Sequence, residues 1–305
     1  MNLTAATAAA DVPLVDRAEL KDIELVVLKR MREYATGAHA SVFQGKGLDF
    51  VGLRDWEPGD RPSDVDWAQS SITNFSPLVS REFEQESTAT LMVVADTSLS
   101  TQCGVNGTPL AKVIARAMTT LGLAAAFFQD RAGLVTLDGT SRRLAVRPRV
   151  GRNQVIHCLE TYQAAVYRRL ERHPHAESDL TGMLGRPSFV PVVSDFLFDA
   201  APDLFDELTH LAATHDVLIV MVDAAFAYDF PAMSSGWIET YDVETGHRRT
   251  VSAGELEGLG REVREWQDRT AMAARHAGLE VVRLEPGHEH RMLSDCLAER
   301  RLRKR

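Results

Sequence analysis

Cysteine is scarce in this 305-residue chain. Cys103, Cys158 and Cys296 stand far apart, with no C-x-x-C spacing between them. That excludes a disulfide framework and a cysteine zinc site, and makes a reducing cytoplasm the simplest home. Long apolar runs are lacking as well. No 18 consecutive apolar residues occur, so no membrane span is expected. The Ala/Thr-rich start, Met1 to Ala10, has neither the charged opening nor the apolar stretch of a signal peptide. Basic residues are in deficit, 34 Lys+Arg against 43 Asp+Glu, for a net charge of -9. That balance excludes a general nucleic-acid binder covering phosphates over a wide face. The basic tail from Arg300 to Arg305 reads as a solvated helix end. There is no P-loop, no G-x-S-x-G elbow, no internal repeat and no low-complexity segment.

What is present is a chain 45% hydrophobic, enough to build a real core. Apolar positions Leu14, Leu20, Ile23, Val26, Val27 and Met31 predict an amphipathic helix within Asp11 to Tyr34. From Gly37 to Phe83 the pattern breaks into short polar pieces with Gly, Pro, Asp and Trp. Trp56 and Trp67 have the size to anchor these loops, and Arg–Asp pairs are the plain reading of their charges. Leu78 to Phe83 alternates as a strand. Beyond it, helices alternate with apolar strand-like runs at Leu91–Ala95, Ala132–Leu137, Phe189–Val193, Val217–Val222 and Leu279–Leu284. Thr108-Pro109 reads as the cap and first residue of a helix reaching Gln129. Asp138-Gly139 is a hairpin turn, and 236–252 resembles an inserted β-hairpin. The expected fold is a doubly wound, mostly parallel α/β sheet, with a small β-rich module before it. We divide the chain into an N-terminal helical segment, 1–36, a small module, 37–87, and the sheet domain, 88–305.

The central feature is Leu91-Met92-Val93-Val94-Ala95-Asp96-Thr97-Ser98-Leu99-Ser100. A run with no polar alternation is a strand covered on both faces, and it ends in a carboxylate and two hydroxyls. Open α/β sheets bind ligands at such carboxyl ends. Hard oxygen donors suit Mg2+ above all, with Mn2+ or Ca2+ as substitutes. A second strand ends in Ser194-Asp195, and Ser178 opens a short helix before it, so their oxygens could converge with the first loop.

The pattern D-x-S-x-S, with a hydroxyl and an Asp from later loops, resembles the metal-ion-dependent adhesion site of a von Willebrand factor A domain. That resemblance implies direct Mg2+ contacts from Ser98 and Ser100, and contacts through water from Asp96 and Asp195. Ser178 stands where a Thr is usual, and Thr181 is its rival. Together with Gly37-Ala38-His39-Ala40-Ser41, Gly45-Lys46-Gly47, Arg54-Asp55-Trp56-Glu57-Pro58-Gly59-Asp60, Asp66-Trp67 and Arg81-Glu82-Phe83, it resembles the bacterial domain-of-unknown-function 58 family. The family resemblance implies a MoxR-type AAA+ ATPase as partner. Many members carry N-terminal membrane helices; none is expected from the sequence here.

Two functions from different classes follow. The first is a non-enzymatic Mg2+-dependent binding module, an adaptor that couples the ATPase to a client protein offering a carboxylate. It would be cytoplasmic, reaching a membrane only through partners. The second is a Mg2+-dependent phosphoesterase using Asp60, Asp64 and Asp66. Ser98 occupies the place where a haloacid-dehalogenase-type phosphatase needs an Asp as acid/base, which favours binding over catalysis. His288-Glu289-His290 has the wrong spacing for one helical face and reads as a surface turn.

Overall fold

The computed structural model describes residues 13–35, 49–58, 60, 62–84, 89–105, 108–138, 141–167, 184, 186–228, 237–241 and 248–303. Helix α1, Arg17–Ala35, starts where the Asp16 carboxylate accepts the N–H groups of Ala18 and Glu19 at 2.8 Å each. It buries Leu20, Ile23, Val27 and Met31, one face at helical spacing. Strands β1, Asp49–Asp55, and β2, Val79–Glu84, pair antiparallel. Between them lies the short helix α2, Trp67–Ile72, capped by Asp66, whose carboxylate accepts from Ala68 and Gln69. The polar pieces read from the sequence thus include a strand and a helix too short to show a period.

Strand β3, Thr90–Asp96, is followed by the paired two-residue strands β4, Gly104–Val105, and β5, Thr108–Pro109. Helix α3, Leu110–Phe127, comes next. Thr108-Pro109 therefore forms a strand rather than the expected cap, and α3 starts with no side-chain cap. Strands β6, Arg131–Asp138, and β7, Ser141–Val150, make the expected hairpin. Then come α4, Arg152–Tyr167, β8, Phe189–Ser194, α5, Ala201–Ala212, and β9, Asp216–Val222. The inserted hairpin is present as β10, Trp237–Tyr241, and β11, Arg248–Ser252. It runs directly into α6, Ala253–His276, followed by β12, Glu280–Leu284, and α7, Glu289–Arg303.

Six strands form the main sheet in the order β12-β9-β8-β3-β6-β7, all parallel except the edge strand β7. The chain winds outward from β3 in both directions, so the crevice for a ligand opens beside the end of β3. Leu91 to Asp96 are all buried, as a strand covered on both faces requires. One face packs α1, α3, α4 and α7, the other α5 and the end of α6. Gly122 lets α3 meet α4 closely, since a Cβ there would lie 2.9 Å from Val155 Cγ1. α3 is long and apolar enough to cross a membrane, yet 78% of it is buried in the fold, as a core helix is.

Helix α1 is part of this core, and Leu14, Ile23 and Met31 join the same apolar cluster as α3 and α7. Glu19 bonds Arg116 and lies 3.5 Å from Lys112, and Arg116 in turn lies 3.7 Å from Glu289. Glu289 is fully buried and accepts the Gly287 N–H at 2.9 Å, while His290 meets Thr120 Oγ1 at 2.9 Å. Only His288 fits the expected surface turn. The other two side chains lock the start of α7 into the core. Trp67 departs from its expected role as an anchor, being 61% exposed.

Candidate functional site

Strand β3 delivers Asp96 to the carboxyl edge of the sheet, and the chain then turns in a 3-10 segment, Leu99–Gln102. Thr101 closes that turn, giving its N–H and its hydroxyl to Ser98 C=O at 3.1 and 2.6 Å. Thr97 ties the loop to β6 by bonding Leu137 C=O through both N–H and Oγ1, at 2.7 and 2.9 Å. So restrained, Ser98 Oγ and Ser100 Oγ lie 2.8 Å apart, nearly buried. The pair uses one hydroxyl proton between them, which leaves several oxygen lone pairs facing the same small space.

Asp96 is fully buried and held at every acceptor. Its Oδ1 takes the Ser98 N–H at 2.6 Å, its Oδ2 the Ser194 hydroxyl at 2.5 Å, and its C=O the Tyr162 hydroxyl at 2.8 Å. No basic side chain among the described residues pairs with it. Burial pushes its carboxyl above the usual carboxylate range, against the pull of the Ser194 and Ser98 hydrogen bonds. A desolvated carboxylate without a cationic neighbour has an electrostatic deficit that a bound cation would fill.

The second loop starts one strand away. Ala95 is in register with Val193, which sets Ser194 beside Asp96 and Asp195 just beyond. Ser194 Oγ donates to Asp96 and accepts the Phe196 N–H at 2.8 Å, and Asp195 Oδ1 accepts the Leu197 N–H at 3.1 Å. Tyr162 feels both carboxylates. Burial first, then the charges of Asp96 and Asp195, push its phenol well above its ordinary range. Phe196 holds a left-handed backbone, φ 54°, with its ring buried 5.7 Å from that of Phe205. This costs a non-glycine residue about 1–2 kcal/mol, and the packed ring and the Ser194 bond hold it there.

A third element fastens the loops from behind. The buried Gln267 of α6 donates to Asp195 C=O at 2.9 Å and Val222 C=O at 2.8 Å, and accepts the Ala224 N–H at 3.2 Å. Its neighbour Trp266 donates to Phe196 C=O at 3.0 Å. One helix thus ties the ends of β8 and β9 together.

The structure brings Asp96, Ser98, Ser100 and Asp195 to two adjacent loops. Ser178 and Thr181 lie outside the described residues, as do Gly37 to Gly47 of the motif set. Asp60 and Asp66 are engaged elsewhere. Asp60 grips Arg54 with both oxygens, at 2.7 and 2.6 Å, and that guanidinium holds its carboxyl below the usual range. Asp66 caps α2 and lies 3.0 Å from Arg81, and the Gln69 N–H is foremost in lowering its carboxyl. Among the described residues no three His, Cys, Asp or Glu side chains converge, so a cation here would rest on hydroxyls as much as on carboxylates.

A family model described as a protein of unknown function, DUF58, matches residues 52–275, well over half of the chain. The chain belongs to the DUF58 family. No curated protein matches it. Among solved structures, this DUF58 chain is similar to an aerotolerance-related membrane protein from Bacteroides fragilis, carrying multiple mutations to serine. The two share 9% identity over 70% of this chain and 99% of the other, with a TM-score of 0.40. It is also similar to the conserved hypothetical protein BatB from Bacteroides thetaiotaomicron, at 11% identity over 70% and 98%, with a TM-score of 0.37. Likenesses at this level bear no functional argument.

Sequence reasoning on this DUF58 chain missed Tyr162 and Gln267, and placed Ser194 at the site without giving it a role. Ser194 had a legible signal, a hydroxyl beside the second acid at a strand end. Tyr162 and Gln267 each sit on a helix at a position that reads as an ordinary turn of the helical pattern.

Proposed function

We propose that the chain is a Mg2+-dependent protein-binding module of the von Willebrand factor A type, an adaptor between a MoxR-type AAA+ ATPase and a client protein. The observation that carries this reading is the pair of hydroxyls, Ser98 Oγ and Ser100 Oγ, held 2.8 Å apart in front of a buried carboxylate that has no basic partner among the described residues. The donor set fits a hard divalent cation. Ser98 and Ser100 would hold it, Asp96 and Asp195 would balance its charge from behind, and Ser178 or Thr181 would complete the set. When bound, it supplies an electrophilic centre able to accept a carboxylate from outside. The chain's own residues do the rest. Ser194 and the Ser98 N–H fix the Asp96 oxygens, Thr101 holds the loop, and Gln267 and Trp266 keep the second loop in register with the first.

The phosphoesterase alternative draws no support from Asp60 and Asp66, whose oxygens cap backbone and bind arginines. We place the protein on the cytoplasmic side, with any membrane contact made through partners.

The test is a double variant, Ser98→Ala/Ser100→Ala. It removes the hydroxyls and keeps Asp96, whose loss would strand two donors and confuse binding with stability. Mg2+ is expected to raise the melting temperature of the wild type by several degrees over EDTA, and to leave the variant unmoved. A MoxR-type ATPase co-expressed with the chain is expected to be captured in Mg2+ by the wild type alone. Equal capture by both proteins, in Mg2+ and in EDTA, overturns the reading.

A further inference from the structure

Ser194, the last residue of β8, is fully buried beside Asp96 and stands outside the donor set proposed above. Its hydroxyl has one proton to give, and Asp96 Oδ2 receives it at 2.5 Å. The direction of that bond is fixed, because the Phe196 N–H donates to the same Ser194 oxygen at 2.8 Å. Phe196 is held in turn by its left-handed backbone, by its ring against Phe205 and by the Trp266 N–H on its carbonyl at 3.0 Å. The other carboxylate oxygen, Asp96 Oδ1, takes the Ser98 backbone N–H at 2.6 Å. Asp96 is thus gripped at both oxygens by donors that cannot follow it if it moves.

This grip treats cations differently. Mg2+ is small, demands near-octahedral geometry and keeps several of its waters, whereas Ca2+ takes about 6–8 oxygens and draws on carboxylates directly, in some sites through both oxygens of one group. A carboxylate engaged at both oxygens cannot turn the pair toward one ion. Each oxygen retains an acceptor direction, enough to bond a water that the metal carries. Asp195 has only its Oδ1 engaged in a comparable way, by the Leu197 N–H at 3.1 Å. Asp96 is therefore the carboxylate that hydrogen bonding withdraws from direct use, and Ser194 is the side chain that withdraws it.

We propose that Ser194 is a specificity-determining residue of the cation site: its bond to Asp96 Oδ2 keeps that carboxylate out of direct ligation and makes the site select Mg2+ against Ca2+. The proposal rests on the metal reading above and adds the residue that sets the choice of ion. Loss of the hydroxyl then acts in two directions. Without metal, Ser194→Ala leaves Asp96 Oδ2 and the Phe196 N–H buried and unbonded, which lowers stability. With metal, the released oxygen can ligate directly, which favours Ca2+. A purely structural residue would weaken the binding of both ions alike.

The test is calorimetric titration of the EDTA-stripped full chain with MgCl2 or CaCl2, with melting temperatures recorded alongside. Wild type is expected to bind Mg2+ about tenfold or more tighter than Ca2+. Ser194→Ala is expected to melt lower without metal and yet to bind Ca2+ more tightly than wild type, moving the ratio of the two affinities by about tenfold or more. Ser194→Thr keeps the hydroxyl and is expected to keep the wild-type ratio. Ser194→Cys, close in size and a weaker donor, decides the ratio if the alanine variant fails to fold. Wild type binding neither ion removes the metal reading and this proposal together. Wild type binding Ca2+ as tightly as Mg2+, or Mg2+ binding with a ratio unchanged by loss of the hydroxyl, overturns this proposal alone.

Discussion

Two acid-rich regions of this chain solve the problem of negative charge in opposite ways. At the carboxyl end of β3 the carboxylate of Asp96 is fully buried and served by serine donors, with no arginine beside it among the described residues. In the small module around β1 and β2, Asp60 and Asp66 stay near solvent and are matched by Arg54 and Arg81. Among its described residues this region has little core. Val65, Ser70 and Ser80 are buried, while Trp67, Ile72 and Phe75 stand more than half exposed. An arginine close at hand satisfies a carboxylate permanently. Serines orient one without neutralising it, and so leave it available to a cation.

The largest effect that would sharpen this contrast is expected from Gln267→Leu. The change leaves the Asp195 and Val222 carbonyls and the Ala224 N–H buried and unbonded, at a cost of about 2–4 kcal/mol. Urea unfolding should show it as a lower midpoint for the whole sheet domain, with loss of any Mg2+ stabilisation. A loss below about 0.5 kcal/mol would mean that the two loops stand without their clamp.

Acid should then separate the regions. The Asp60 and Asp66 carboxyls lie below their unfolded value of 3.8, so their contribution is complete above that pH and is lost as pH falls through the folded values. Asp96 lies above 3.8, so its ionisation opposes folding, and the folded state gains as pH falls from the folded value toward 3.8. Hydrogen exchange in EDTA between neutral pH and about pH 3 is expected to show β1 and β2 losing protection before β3 and β8, relative to their neutral-pH stabilities. Loss in the reverse order would break the comparison.

The smallest effect is expected from Trp67→Ala, which should change global stability by less than about 0.5 kcal/mol, because most of the ring already faces water. A shift in melting temperature as large as that of Gln267→Leu would show that the module is built around this tryptophan after all.

Much of the fold was legible because buried strands and helices impose long periods on the sequence. The sheet, its antiparallel edge, the hairpin at β10 and β11, and helices α3 to α7 all follow from such patterns. Short elements were not legible. Six residues of α2 give fewer than two turns, and Thr108-Pro109 satisfied a helix-start rule while its backbone joined a two-residue ladder with Gly104 and Val105. In the site, Asp96, Ser98, Ser100 and Asp195 were legible as polar residues ending apolar runs. Ser194 was legible as a hydroxyl at a strand end but not as the donor to Asp96, and Tyr162 and Gln267 act across long separations in sequence, where local spacing has nothing to say. Charge partners were legible as a type, since Arg–Asp pairing was expected among the turns, but not as the pairs Arg54–Asp60 and Arg81–Asp66.

The clamp made by Gln267 also sets a schedule for synthesis. Asp96 and its Ser194 partner are 98 residues apart, and Asp195 waits for an amide another 72 residues on. A nascent chain still held at the ribosome with residues 1–200 exposed carries both acidic loops but not the helix that fixes their spacing. The site is finished among the last parts of the molecule, so a product truncated before α6 should carry both loops without the amide that fixes their spacing.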